Sequence, residues 1–411
     1  MNLPGKMKIL LISSGQPSLN PRLVKEADSL ADAGYCVTVL YAYWNEWGTE
    51  LDKKLLPSKK WQAIRVGGDP QQKKLTYFLS RVIHKFSMLV TKQSGIKYFA
   101  ELAIARSSYF LIREAKRHKA DLYIGHNLGA LPAIVKAAMI HKKPCGFDAE
   151  DFHRFETSDN RHDEAVILKM IIEDKYIPQV NYLSASSPQI AEAYYLLYPQ
   201  KYPVVLLNVF PKVPGGKQLN LNQPGPVKLF WFSQTIGTNR GVEDVVKALQ
   251  LVECGHFELH LLGDYQSQII SFIDELNVCK AKIYFHKPIM PDAIIEFASQ
   301  FDIGLALEDH APYNRNICLT NKIFTYLQAG LSIIASDTTA QKELMSRYPE
   351  TGNIYKKNDV QTLARGIEYY FHNRDALYNA KKAAFEIARN DLNWEKESEK
   401  FLMIVKNTLA V

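Results

Sequence analysis

The densest chemistry in this sequence lies between Thr320 and Asp337. Thr320 or Asn321 can cap a helix, Lys322 falls in its first turn, and Gly330 ends it before a buried apolar run. A cation in a first turn opposes the positive end of the helix dipole, and a bound anion removes that conflict. A second polar loop has the same character. Ser233, Gln234 and Thr235 lead through Arg240 and Gly241 into the helical run 242–251, whose first N–H groups are free. Arg240 adds a planar guanidinium that matches phosphate oxygens. Each feature alone fits a solvated loop; together they point to an anion site.

The elements that position these loops repeat along the chain. Short β-branched runs alternate with longer runs of helical period, which is the pattern of parallel sheets covered by helices. Strands are expected at 8–13, 37–41, 122–125, 145–148, 182–185 and 204–208, and again at 227–232, 257–262, 282–285, 303–307, 332–335 and 353–355. The helix after the first strand is the clearest: Pro21 opens it, Leu23, Ala27, Leu30 and Ala31 share one face, and Gly34 closes it. The Pro-, Gly- and Asn-rich stretch 211–226 reads as a linker. The expected organisation is an N-terminal Rossmann-like domain at 1–210, the linker, a C-terminal Rossmann-like domain at 227–392, and a last helix at 393–411 that can pack back on the first domain. In such α/β folds ligands sit beyond the carboxyl ends of the strands, so two doubly wound domains are expected to face a central cleft.

Composition narrows the class. At 411 residues, 47% hydrophobic and 23% charged, the chain suits a soluble globular protein of two domains. Five scattered cysteines without a C-x-x-C pair suggest neither a disulfide framework nor a zinc site, which fits a cytoplasmic protein. No segment has the apolar length to span a bilayer and no signal peptide is expected. The net charge of +7 suits anionic partners but does not choose among them. Its distribution is more informative. No carboxylate occurs between Asp69 and Glu101, while Lys73, Lys74, Arg81, Lys85, Lys92 and Lys97 alternate with large apolar residues. This stretch can lie on an anionic membrane surface or form an ordinary helix pair with its apolar face in the core.

The second half resembles the donor domain of GT-B glycosyltransferases. The resemblance runs through the Arg240-Gly241 loop, Leu262-Gly263-Asp264, His286-Lys287-Pro288, Phe301-Asp302-Ile303-Gly304, Asn321-Lys322, Ala329-Gly330 and Ile334 to Asp337, and closes on Gly352 to Tyr355, Asp359 and Trp394. It is nearest in pattern to the large retaining family 4. The first half conforms more loosely, with Ser13-Ser14-Gly15, His126-Asn127 and the segment Phe147 to His153. The resemblance implies transfer of a hexose-type sugar from a nucleotide diphosphate sugar to a hydroxyl of a glycan or lipid-linked acceptor, as in surface-polysaccharide assembly. Retention of configuration is implied too, with no metal and no cofactor beyond the donor substrate. Nucleic acid is not an expected partner.

On that resemblance Arg240 and Lys322 bind the diphosphate, Thr320 and Asn321 offer donors, and Gln234, Thr235 and Gly241 line the phosphate loop. Gly263 and the His286, Lys287 and Pro288 loop frame the nucleoside, and Gly15 lets a loop of the first domain approach. His126 contacts the donor sugar or its reacting centre, and Glu150 and Asp151 lie on the acceptor side. Two departures stand out. Ser233-Gln234 replaces the usual Gly-Arg pair, and Thr325 stands where relatives carry a glutamate, so Glu308 is the expected replacement, with Asp309 behind it. Asp148, Glu150 and Asp151 have loose spacing for a metal and read instead as solvated or acceptor-binding groups. A sugar-nucleotide epimerase of the same architecture, or a non-catalytic sugar-nucleotide binder, are the rival readings.

Overall fold

The computed structural model describes residues 6–94, 99–213, 225–238 and 240–410. Residues 214–224, most of the expected linker, lie outside the described residues, as does Lys97. The chain divides into two compact units, one formed by Met1–Leu206 with Glu397–Val411 and the other by Leu207–Lys396.

The first unit holds seven strands: β1 (Lys8–Ser13), β2 (Cys36–Ala42), β3 (Gln62–Val66), β4 (Leu122–His126), β5 (Cys145–Ala149), β6 (Tyr182–Ala185) and β7 (Val204–Val205). Their order in the sheet is β3-β2-β1-β4-β5-β6-β7. The second unit holds β8 (Val227–Thr235), β9 (Phe257–Asp264), β10 (Lys282–His286), β11 (Ile303–Ala306), β12 (Ser332–Ser336) and β13 (Gly352–Tyr355), in the order β10-β9-β8-β11-β12-β13. The strand pairs of both sheets are parallel. Each order reverses once, between β1 and β4 and between β8 and β11, and those reversals open the ligand crevices of doubly wound folds.

Burial on both faces explains the apolar runs. Val227, Leu229 and Trp231 of β8 enter one core, with Val245 and Leu249 of the helix Val242–Leu249, while Phe230 enters the opposite one with Phe324 and Leu327. The helix Pro21–Asp32 forms where the sequence places it; Asn20 caps it by accepting a hydrogen bond from the Leu23 N–H at 3.0 Å. Several strand limits differ from expectation. Strand β3 is an addition, because Gln62 to Val66 carries an arginine and is mostly half-exposed, as suits a sheet edge. Strand β7 spans two residues in place of the expected five. Strands β8 and β9 run further, through Thr235 and Asp264, after a register shift between Phe232 and Thr235.

The last helix, Trp394–Leu409, belongs to the first unit from Glu397 onward. Its Phe401 and Val405 are buried in one cluster with Ile9, Leu11, Val37 and Leu122. The C-terminus is thus part of the first core. Phe401→Ala should cost about 3–5 kcal/mol, the usual loss for emptying a buried aromatic site. Chemical denaturation followed by a first-unit probe checks this, and a loss well under 1 kcal/mol would contradict the packing.

A buried ion cluster ties this sheet to its first helix. Arg22 grips Asp148 at the end of β5 with two bonds, Nε to Oδ2 at 2.5 Å and Nη2 to Oδ1 at 2.7 Å, and also donates to the Leu206 carbonyl. His126, at the end of β4, places Nε2 3.1 Å from Glu26 Oε2 and Nδ1 3.5 Å from Asp148 Oδ2. The Ser184 hydroxyl of β6 donates to Asp148 at 2.6 Å. All four charged residues are at most 1% exposed. Burial opposes the imidazolium, but Glu26 and Asp148 outweigh it and raise the His126 pKa to about 10. Burial likewise disfavours the Asp148 carboxylate, yet Arg22 and His126 hold it well below the usual range. Two cations therefore balance two carboxylates in a buried site.

Removing one member leaves a buried charge unbalanced, so His126→Ala should destabilise by about 3–5 kcal/mol at neutral pH. The folded pKa of His126 lies above its ordinary 6.5, so its contribution is full below that value and is lost as pH rises through about 10. Urea titrations from pH 6.5 to 10.5 should show the gap between wild type and variant narrowing with pH. A gap that is constant or widens would overturn the assignment of charge.

Candidate functional site

The second unit gathers four cations at the carboxyl edge of its sheet. The strands β8 and β11 end side by side, and the loops beyond them, together with the helix Asn321–Ala329, build a pocket lined by Trp231, Arg240, Leu307, Glu308, Asp309, Arg315, Lys322 and Lys357. Four of the lining residues are cations and two are carboxylates. Gly241 makes the close packing possible. Its φ of +83° suits glycine, and a Cβ there would stand 2.7 Å from the Leu307 Cβ.

Lys322 is the centre of the pocket. Its Nζ donates to Glu308 Oε1 at 2.6 Å and lies 5.9 Å from the centre of the Trp231 ring. Thr320 holds the N-cap position, but its hydroxyl donates to the same Glu308 oxygen at 3.1 Å and makes no capping bond. The helix start is therefore uncapped by its own N-cap side chain, has no acidic residue in its first turn, and carries the lysine that the dipole disfavours. Glu308 supplies the compensating charge. Its own backbone is fixed by Ser336 of β12, whose Oγ accepts from the Glu308 N–H at 2.9 Å and donates to its carbonyl at 2.8 Å.

Lys357 and Arg315 are additions to the expected set. Lys357 lies just past β13 and reaches Asp244 Oδ2 at 3.2 Å, while its N–H donates to Asp337 at 3.0 Å. Asp337 also contacts His310 at 2.9 Å, and the His310 partner Asn316 accepts from the Thr339 N–H. These contacts join the loops after β11, β12 and β13. The signal for Lys357 is its place just beyond a strand end; Arg315 lies in the short helix Tyr313–Ile317, which the sequence pattern does not mark.

The remaining expected residues divide by position. Arg240, Gln234, Thr235 and Asn321 are exposed, and Arg240 forms no ion pair among the described residues. Thr325 does not face a ligand: it is 1% exposed and its hydroxyl donates to the Asn321 carbonyl one turn back, at 2.9 Å. Glu308 is engaged by Lys322 and not poised alone as a sugar contact. Gly263 lies inside β9, where a Cβ would meet the Ser233 carbonyl at 2.6 Å, so the glycine is explained by strand packing. His286 packs against His260, with Nε2 3.0 Å from Nδ1, and against Phe297. Burial lowers the pKa of His286, and burial followed by His286 lowers that of His260 to about 4. Lys287 lies over the Tyr265 ring at 4.2 Å, and Pro288 is exposed.

In the first unit, Gly15 sits at the end of β1, its N–H donating to Ser13 Oγ, which in turn donates to Asn127 Oδ1. His126 belongs to the buried ion cluster. Its expected contact with a donor sugar is replaced by a structural one, because both ring nitrogens face carboxylates and the ring is enclosed. Glu150 lies just past β5; burial and then the Asp148 carboxylate push it up to about 7. Lys25 is lowered to about 7 by burial and Arg22. Asp151 accepts from the Tyr194 hydroxyl through its carbonyl at 3.3 Å.

No protein-family model and no curated protein matches the chain in sequence. Solved structures do match in fold. A sucrose-phosphate synthase from Thermosynechococcus elongatus aligns over 98% of this chain and 100% of its own, with a TM-score of 0.67 at 15% identity. HepE of Anabaena, in complex with UDP and glucose, gives 0.66 at 15% identity over the same shares. TarM of S. aureus, as a mutant in complex with fondaparinux, alpha-GlcNAc-glycerol and UDP, gives 0.68 at 9% identity over 98% of this chain and 100% of its own. Two Rossmann-like parallel-sheet units of this kind make the fold of the chain that of the GT-B glycosyltransferases.

Proposed function

We propose that this chain is a glycosyltransferase that moves a hexose-type sugar from a nucleoside diphosphate to a hydroxyl of a glycan or lipid-linked acceptor. The reading includes retention of configuration, as in family 4, no metal, a place in cell-surface polysaccharide assembly, and action in the cytoplasm. The observation that carries it is Lys322 in the first turn of a helix without a side-chain cap, in a pocket with Arg240, Arg315 and Lys357. Structures of the same fold hold UDP or UDP with sugar, which supports a nucleoside diphosphate as the anion.

The chemistry is set by charge. As the bond between the sugar carbon and the diphosphate oxygen breaks, its electron pair stays on that oxygen, and the acceptor oxygen forms the new bond while its proton passes to the departing diphosphate. Fixed cations and helix N–H groups stabilise the charge more as it develops than before, so they lower the barrier and not merely the ground state. Glu308 holds Lys322 extended until the diphosphate arrives, and Thr320 and Asn321 complete the cradle. Glu150 and Asp151 are the residues this reading assigns to the acceptor.

Titration calorimetry with UDP, GDP and ADP tests the site. Lys322→Ala and Arg240→Ala should each weaken the preferred diphosphate by about 10- to 100-fold, the scale of one charge-assisted hydrogen bond. Unchanged affinity in both variants would sink the assignment. Incubation with a panel of nucleotide sugars separates activities: slow donor hydrolysis supports a transferase, whereas interconversion without hydrolysis indicates an epimerase.

A further inference from the structure

The helix Lys74–Ser94 is inside out. At about 100° per residue, Leu75, Phe78, Leu79, Val82, Phe86 and Leu89 fall within an arc of about 100°. All six are exposed, Leu75 at 86% and Phe78 at 69%. The face turned to the protein is instead mixed, with Tyr77, Ile83 and Val90 half-buried beside polar side chains. Ser80 and Ser87 are buried, and Thr91 and His84 are half-buried. The Ser80 hydroxyl donates to the Tyr77 carbonyl, the Thr91 hydroxyl to the Ser87 carbonyl, and His84 Nε2 lies 3.1 Å from the Ala103 carbonyl. The helix thus presents to the outside the stripe that a soluble helix turns inward.

Charge says what covers the stripe. Lys74, Arg81, Lys85 and Lys92 line one flank of it within about 40° of arc. Lys74 and Lys85 have no carboxylate partner among the described residues, and Lys92 meets only the exposed Glu164. At the helix start, Tyr43 stacks edge-on to Tyr77 at 5.8 Å, and the neighbouring Trp44 and Trp47 are each about half exposed. Tryptophans of this kind settle at the headgroup level of a bilayer. No helix among the described residues is long and apolar enough to cross a membrane, so this one can only lie on it.

We propose that the Lys74–Ser94 helix is an in-plane docking helix for an anionic lipid surface, its apolar stripe entering the acyl boundary and its lysines meeting the headgroups. The inference is independent of which sugar is transferred, or of whether any is.

Co-sedimentation of the full chain with vesicles tests it, using phosphatidylcholine alone and phosphatidylcholine with about one third phosphatidylglycerol. The wild type should bind the anionic vesicles at least about tenfold more tightly than the neutral ones, and more weakly as salt rises. A triple variant, Leu75→Ser with Phe78→Ser and Leu89→Ser, should lose that binding, while its melting temperature stays unchanged because these side chains are exposed. Lys74→Glu with Lys85→Glu should weaken it about tenfold or more. Absence of wild-type binding, or equal binding by the triple variant, would overturn the proposal. So would a lipid-free dimer, seen by sedimentation velocity, that the triple variant disperses, since the stripe would then belong to a second copy.

Discussion

Parallel strands impose one constraint on both units: every carboxyl end lies on the same edge, where helices also begin and unpaired N–H groups concentrate. Polar and charged residues gather at such an edge because the backbone leaves them work to do. The two sheets resolve this differently. At the ends of β4 and β5 the first unit closes a neutral cluster of Arg22, His126, Glu26 and Asp148 under cover. Beyond β8 and β11 the second unit leaves four cations facing two carboxylates.

That contrast separates a structural charge cluster from the proposed anion site. Burying ions is costly unless the geometry compensates them, and the first cluster is compensated by paired contacts, a serine and a backbone carbonyl. In the second unit Glu308 meets Lys322, and Thr320 meets Glu308, but the helix start behind them still lacks an acceptor from its N-cap side chain. An internal carboxylate that can be displaced from Lys322 by a stronger anion keeps the lysine extended at small cost, which is how a site stays organised before its ligand arrives.

Much of this is legible in the sequence because parallel strands buried on both faces leave continuous apolar runs, and because Pro21, Gly34, Gly241 and Gly330 punctuate the helices between them. Edge strand β3 is not, since Gln62 to Val66 is half-exposed and reads as a loop. The clustering of Lys322 and Arg240 can be inferred from strand ends alone. The direction of a side chain cannot. His126 and Thr325 occupy positions where one step along the chain decides between solvent and core, and the partners that turn His126 inward, Glu26 and Asp148, lie far from it in sequence. Glu308 is legible as a residue but not as Lys322's counter-ion, for the same reason.

The Lys74–Ser94 helix shows that ambiguity at the scale of a whole element. Its apolar period describes a core face and a lipid-facing stripe equally well, and only the burial of Ser80 and Ser87 tells which side meets the protein. Core positions filled by serine contribute little apolar contact, so the stability of this helix draws less on its packed face than is usual. Six large apolar side chains are left toward water, while only Tyr77, Ile83 and Val90 of the large apolar residues turn partly inward. Selection for folding alone would have placed them on the other side. Their position, beside a row of cations in a stretch without carboxylates, is what the proposed docking on an anionic lipid surface requires.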